Sequence, residues 1–243
     1  MADSLVIIPT YNEKENIEII LKAIFALEKN FNVLVIDDGS PDGTAALVEK
    51  MMPSNPNRIY LLKRNGKLGL GTAYLAGFQY ALDNGYDYIF EMDADFSHNP
   101  QDLIRLYEEA KKGSDVVIGS RYVSGGKIVN WPFDRLALSY GASLYVRIIT
   151  WMHVKDPTAG FVCYKASALK KLNLQSIEFI GYAFQIEMKY AMKKLGMKIT
   201  EIPITFVDRI YGESKISKGI IGEAVYGVLK MSWFNGNKTY LKS

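Results

Sequence analysis

The chain has 243 residues, 49% hydrophobic and 23% charged, with a formal net charge of +3. That size and balance predict one large globular domain, and the charge excludes the basic footprint of a general nucleic-acid binder. The single Cys163 excludes an internal disulfide framework, and His98 and His153 lie too far apart in sequence for a zinc motif, so a reducing compartment fits.

The first half alternates strand and helix patterns. "SLVIIP" is a short continuous apolar run, as expected of a strand buried on both faces. Ile17, Ile20, Leu21, Ile24 and Leu27 then recur at helical spacing. "FNVLVIDD" predicts a second strand, and "DGTAALVEKMM" a helix that Asp42 can cap. "NRIYLLKR" predicts a third strand, followed by a helix over "GLGTAYLAGFQYALDNG" that ends at Gly85. "YDYIFEMD" predicts a fourth strand, with a helix from about Pro100, and "SDVVIGSRY" a fifth. This rhythm implies a mainly parallel sheet flanked by helices.

The second half is less regular. A helix is predicted over residues 134–152, with Leu138, Ala142, Tyr145, Ile149 and Met152 as one apolar stripe. "TAGFVCYK" reads as a strand, Phe184, Met188, Ala191 and Leu195 as a helix, and "KITEIPITFVDR" as one strand. A last amphipathic helix is predicted from near Ile216, with Tyr226, Leu229 and Trp233 on one side. No secretory leader and no apolar run near the ~20 residues of a membrane span is expected. Residues 1–188 carry net −3 and residues 189–243 net +6, either ordinary solvated lysines or a basic end facing anionic lipid or phosphate. With no repeat or linker, residues 1–243 read as one domain.

Polar strings follow each predicted strand: "PTYNE", "DDGSPDG", "KRNGKLGLG", "DADFSH" and "GSRY". Open α/β sheets bind ligands at that edge. Asp93 and Asp95 are one residue apart, and neighbouring carboxylates repel unless a cation neutralises them. In an extended segment they share a face, with Ser97 in phase behind. Mg²⁺ typically takes one or two carboxylates and completes its shell with phosphate and water oxygens, so the pair suits a metal arriving with a diphosphate. Two aspartates capping the next helix are the plainer alternative. Asp37 and Asp38 can accept hydrogen bonds from a ribose or base, or simply shape their loop. Tyr11 offers a stacking face and Glu13 an acceptor. The glycines of "KLGLGTA" fit no phosphate-loop pattern, which leaves Lys67 as a diphosphate contact. Arg121, Arg135, Arg209 and Lys215 are the cations suited to phosphate oxygens, the last two in a glycine- and serine-bearing loop, "VDRIYGESK".

Together, "IPTYNE", "VIDDGSPDGT", "GLGTAY", "MDADFSHNP", "GSRY", "DPTAGF" and "VDRIYGESK" resemble glycosyltransferase family 2, and the last two more narrowly its polyprenol-phosphate (dolichyl-phosphate) mannose synthases. The resemblance implies the GT-A fold, a Rossmann-like α/β arrangement, with residues 1–125 binding nucleotide sugar and metal and residues 126–243 serving acceptor and membrane interface. It implies inverting transfer of mannose from GDP-mannose to a polyprenyl phosphate with Mg²⁺ or Mn²⁺. The alternative is a UDP-glucose-dependent or other family 2 transferase. Pro9, Tyr11, Glu13, Ile36, Asp38, Lys67, Asp93, Ala94, Asp95, Arg121, Arg209 and Lys215 would contact substrate. Asp93, Asp95 and Ser97 would face the metal. Asp95, Arg121, Arg135, Arg209 and Lys215 would carry the chemistry. A hydroxyl acceptor would need a general base, for which only Glu187 offers itself. The resemblance also implies peripheral attachment to the cytoplasmic face of a membrane, through amphipathic helices at 136–152 and 216–235 or a small membrane-protein partner.

Overall fold

The structure is a computed structural model and describes residues 2–181, 183–208, 225–234 and 238–242. Strands β1 (Ser4–Thr10), β2 (Asn32–Asp37), β3 (Ile59–Lys63), β4 (Tyr88–Glu91) and β5 (Val116–Ser120) alternate with helices α1 (Lys14–Phe25), α2 (Thr44–Met51), α3 (Leu70–Asp83) and α4 (Asp102–Lys111). Then come β6 (Lys127–Val129), α5 (Phe133–Thr150), β7 (Val162–Lys165), α6 (Ala166–Lys171), α7 (Ala183–Lys194), β8 (Ile199–Pro203) and β9 (Thr205–Val207). Residues 225–234 are helical and finish as a π-helix over Lys230–Phe234.

The main sheet has seven strands in the order β3-β2-β1-β4-β7-β5-β8. All its pairings are parallel except those of β7, which runs antiparallel to both β4 and β5. The sheet buries both faces, which is why its strands read as unbroken apolar runs. Along β1, Leu5 and Ile7 join one core with α3, α5 and α7, while Val6 and Ile8 join another with α1, α2 and α4. Gly77 lets α3 lie close on β1: a Cβ there would stand 2.7 Å from Ile7 Cγ2. Asp42 fixes the start of α2, accepting from Thr44 N at 2.9 Å and Thr44 Oγ1 at 2.6 Å, although Gly43 occupies the cap position itself.

Two expectations change. "KITEIPITFVDR" is two strands: β8 pairs with β5 as far as Pro203, whose missing N–H weakens further ladder, and β9 then pairs with β6. The expected stripe on α5 holds in its C-terminal part, where Tyr145 and Ile149 pack on the core and Met152, just past the helix, is buried, but not at its start. Ser143, Val146 and Thr150 face the core, while Leu138 and Ala142 are exposed. The predicted start of the last helix near Ile216 lies outside the described residues.

Candidate active site

The carboxyl ends of β1, β2, β4 and β5 share one rim, and hydrogen bonds stitch their loops together. Asp37 is consumed by structure: it accepts from Thr10 Oγ1 (3.0 Å), Ser40 N (3.0 Å) and Ser40 Oγ (2.6 Å). Asp38 accepts from Arg64 Nε at 2.6 Å and Leu68 N at 3.2 Å. Arg64 also donates to Thr72 Oγ1 at 2.7 Å and Gly69 O at 3.2 Å, so it ties the 64–69 loop to the end of β2. Lys67 Nζ lies 5.1 Å from the Tyr11 ring centroid, which brings those two expected contacts together. Glu13 accepts from Asn16 Nδ2 at 2.9 Å, and its amide donates to Thr44 Oγ1 at 3.0 Å. Pro9 is half-buried opposite Ile36 in the β1–β2 register. Ile36 is wholly in the core, so its side chain forms floor rather than contact.

Beyond β4 the chain leaves extended geometry. Phe96 adopts a left-handed conformation (φ 59), so Ser97 is not in strand phase behind Asp95 as expected. A turn brings it there instead: Ser97 N donates to Asp95 Oδ1 at 3.1 Å. Asp95, Ser97, His98 and Ala94 are buried, and Asp93 is half-buried. Ser97 Oγ is buried with no hydrogen-bond partner among the described residues. An unpaired buried hydroxyl costs stability, and beside two carboxylates it fits an oxygen-loving divalent ion. No cluster of three His, Cys, Asp or Glu side chains suited to a metal exists among the described residues, so such an ion would need oxygens from its substrate.

Arg121 lies within electrostatic reach of Asp93, and Arg135 shares its Trp131 neighbour. Arg121 forms a bidentate pair with Asp156, Nε–Oδ2 2.8 Å and Nη2–Oδ1 2.6 Å, and its own amide donates to Oδ2 at 2.9 Å. Nη2 also reaches Thr158 Oγ1 at 2.8 Å. Burial pushes the Asp156 carboxyl up, but the Arg121 charge and hydrogen bonds outweigh it and hold it below its usual range. Burial likewise acts to lower Arg121, and Asp156 reverses that to a net rise, with Asp93 contributing. Arg135 pairs with Asp208 at 2.8 Å and stacks on Trp131, 4.2 Å from its centroid. Arg121 sits 5.7 Å from the same ring and 5.4 Å from Phe206. Phe206, presented by the β6–β9 ribbon, also meets Trp131 and His98 edge-on. Burial lowers His98 to about 4, against the pull of Asp95, so the ring is neutral near pH 7. Arg209 and Lys215 lie outside the described residues.

Sequence reasoning passed over Arg64, Asp156, Trp131 and Phe206. Asp156 carried a signal as the first residue of "DPTAGF", and Arg64 as part of the polar string "KRNGKLGLG". Glu187 is not placed as a base. Its Oε2 accepts from the amides of Glu178 (2.8 Å) and Phe179 (2.9 Å), and its Oε1 from Lys238 (3.1 Å) and Tyr240 (3.2 Å), which ties down the C-terminal segment.

A family model described as glycosyl transferase family 2 matches residues 5–173. The chain is 47% identical over 226 residues to an undecaprenyl-phosphate mannosyltransferase of Micrococcus luteus, covering 93% of this chain and 92% of that protein. It is 44% identical over 225 residues to a polyprenol monophosphomannose synthase of Mycolicibacterium smegmatis, covering 93% and 85%. Among solved structures, glucosyl-3-phosphoglycerate synthase of Mycobacterium tuberculosis, with Mn²⁺, UDP and glucosyl-3-phosphoglycerate, superposes with a TM-score of 0.64 at 18% identity. That match covers 94% of this chain and 79% of the other; its phosphoglyceric acid complex gives 0.67 at 17%, with the same coverage. The sheet order, the acidic loop after β4 and these matches agree: the chain belongs to glycosyl transferase family 2.

Proposed function

We propose that this enzyme transfers mannose from GDP-mannose to the phosphate of a polyprenyl phosphate, with inversion at the anomeric carbon. The observation that carries this reading is the acidic Asp93–Asp95 loop within electrostatic reach of Arg121, in a chain 47% identical to an undecaprenyl-phosphate mannosyltransferase. Asp93 and Asp95, with the unpaired Ser97 hydroxyl, would hold Mg²⁺ or Mn²⁺, which when bound offsets charge on the departing diphosphate. Pro9, Tyr11, Glu13, Asp38 and Lys67 line the side of the rim where a nucleotide would lie. Arg135, with Arg209 and Lys215, would orient the acceptor phosphate and screen its repulsion from the donor. A phosphate monoester is largely ionised near neutral pH and attacks without a strong base. Glu187, taken up by the C-terminal segment, leaves that requirement unmet for a hydroxyl acceptor.

The acceptor class also supports peripheral attachment to a membrane. No helix among the described residues is long and apolar enough to cross one. Yet α5 turns Phe133, Leu138, Tyr140, Leu144 and Ile148 outward, and Trp151, just past its end, is 81% exposed. Tyr226 and Trp233 extend this surface from the C-terminal segment, which Ser232 Oγ joins to Ile149 O at 2.7 Å. Aromatic and aliphatic side chains on a surface helix suit an interface between lipid and water, or a small membrane-protein partner.

The test is transfer of labelled mannose from GDP-mannose into extractable lipid, using undecaprenyl-phosphate vesicles and Mg²⁺ or Mn²⁺, with UDP-glucose as the competing donor. Wild type should label lipid from GDP-mannose, and Asp95→Asn should lose at least 100-fold in rate, on the order expected when charge stabilisation is removed. Labelling only from UDP-glucose, or an active Asp95→Asn, would refute the assignment.

A further inference from the structure

A second charged layer lies beneath the acidic loop, and the transfer step described above does not use it. Glu91, at the end of β4, lies on the same sheet face as Ile89, toward α3 and α7, and is fully buried. Lys189 of α7 is also fully buried. Its ammonium donates to Ala159 O at 2.7 Å, Gln185 Oε1 at 3.0 Å and Gln185 O at 3.1 Å, which uses all three of its protons. Lys189 therefore acts on Glu91 through charge rather than a hydrogen bond, and Asp156 and Glu201 also favour its charged form. Neither Glu91 oxygen nor Gln185 Nε2 reaches full hydrogen-bond geometry among the described residues.

A buried pair of opposite charges is expensive for a fold, and apolar side chains at both positions would stabilise it about as well. The bond to Ala159 indicates what the lysine does there. Residues 156–161 link α5 to β7. Arg121 holds this loop at one end through Asp156, and Lys189 holds it at the other through Ala159. Immediately after the Ala159 anchor, Gly160 lies against the acidic loop: a Cβ there would stand 3.9 Å from both Asp93 Oδ2 and Gln185 Nε2.

We propose that Lys189 is a positioning residue for the metal–donor site, clamping the 156–161 loop through the Ala159 carbonyl so that the loop forms the wall against which Asp93 is set. This rests on the function proposed above. Outer partners that orient ligand groups typically alter metal affinity 10–100-fold when removed.

The experiment is titration of Mn²⁺ by electron paramagnetic resonance with GDP present, alongside thermal melts, for wild type, Lys189→Met and Glu91→Gln/Lys189→Met. Lys189→Met should bind Mn²⁺ about tenfold more weakly and melt lower, because Glu91 loses its counter-charge. The double variant removes that charge conflict but not the missing clamp. It should regain most of the melting temperature and still bind Mn²⁺ about tenfold more weakly. A merely structural lysine would move the melt alone. Mn²⁺ binding within twofold of wild type in either folded variant would overturn the proposal, as would failure of both to fold. If wild type itself does not bind Mn²⁺ with GDP, the donor-site reading falls instead, and the clamp with it.

Discussion

Replacing Asp156 by Asn tests whether the Arg121–Asp156 pair holds the rim together. The substitution keeps the shape and removes the charge. Asp156 is fully buried and accepts three bonds from Arg121, at 2.6, 2.8 and 2.9 Å. An amide turns one acceptor into a donor facing the guanidinium and leaves a buried cation uncompensated. Breaking such a pair from one side costs about 3–5 kcal/mol. For a domain of this size, ~1 kcal/mol moves the melting temperature by about 2–4 °C, so Asp156→Asn should melt roughly 10 °C lower. Because the folded carboxyl lies below the ordinary value of 3.8, its contribution is present above that pH and is lost as pH falls through the folded value. The deficit of the variant, measured by urea unfolding, should therefore be constant from pH 8 to 5 and shrink below about pH 4. Arg121→Met/Asp156→Leu removes both charges and should recover most of the stability without recovering transfer. An Asp156→Asn deficit under ~1 kcal/mol, or one unchanged in acid, would refute the reasoning.

Two further outcomes follow from the same geometry. Burial lowers His98 from 6.5 to about 4, so the unfolded chain takes up a proton first and stability falls as pH drops through that window. At about 1.4 kcal/mol per unit, wild type should lose about 2 kcal/mol more than His98→Gln between pH 7 and pH 5 in urea unfolding, and parallel curves would show that the ring titrates freely. On the outward face of α5, Ile148→Ser/Trp151→Ser should leave the melt unchanged but weaken co-sedimentation with anionic vesicles roughly tenfold, a loss of about 1–2 kcal/mol of apolar burial; equal binding would place the lipid contact elsewhere.

The rim was legible in sequence for a physical reason. A strand buried on both faces disfavours charge along its length, so the carboxylates that follow "FNVLVI" and "YDYIF" cluster where backbone reaches the end of the sheet and leaves it. Asp38, Asp93 and Asp95 were found in this way. What the rule cannot give is the partner across the fold. Arg64 meets Asp38, and Arg121 meets Asp156 35 positions away, because the topology sets β5 beside β7 and the loop preceding it. Spacing gave only the C-terminal part of the buried side of α5, since apolar residues populate both sides of that helix. Phase failed at Ser97 because a non-glycine residue, Phe96, takes a left-handed conformation that composition does not announce.

Glu91 shows where the rule misleads. By position it opens the polar string "EMDADFSH", yet it lies at the end of β4 and is fully buried. Burial raises it to about 8, with Lys189 only partly opposing, so it carries far less charge near neutral pH than an exposed glutamate. The carboxylates of the acidic loop, Asp93 and Asp95, lie two and four residues further out, past Met92, where turns take over from the sheet. Burial separates a carboxylate available to a cation from one that is not, and a lysine 98 positions away on α7 only partly offsets it. Only the packing of α7 against β4 and the 156–161 loop makes them neighbours.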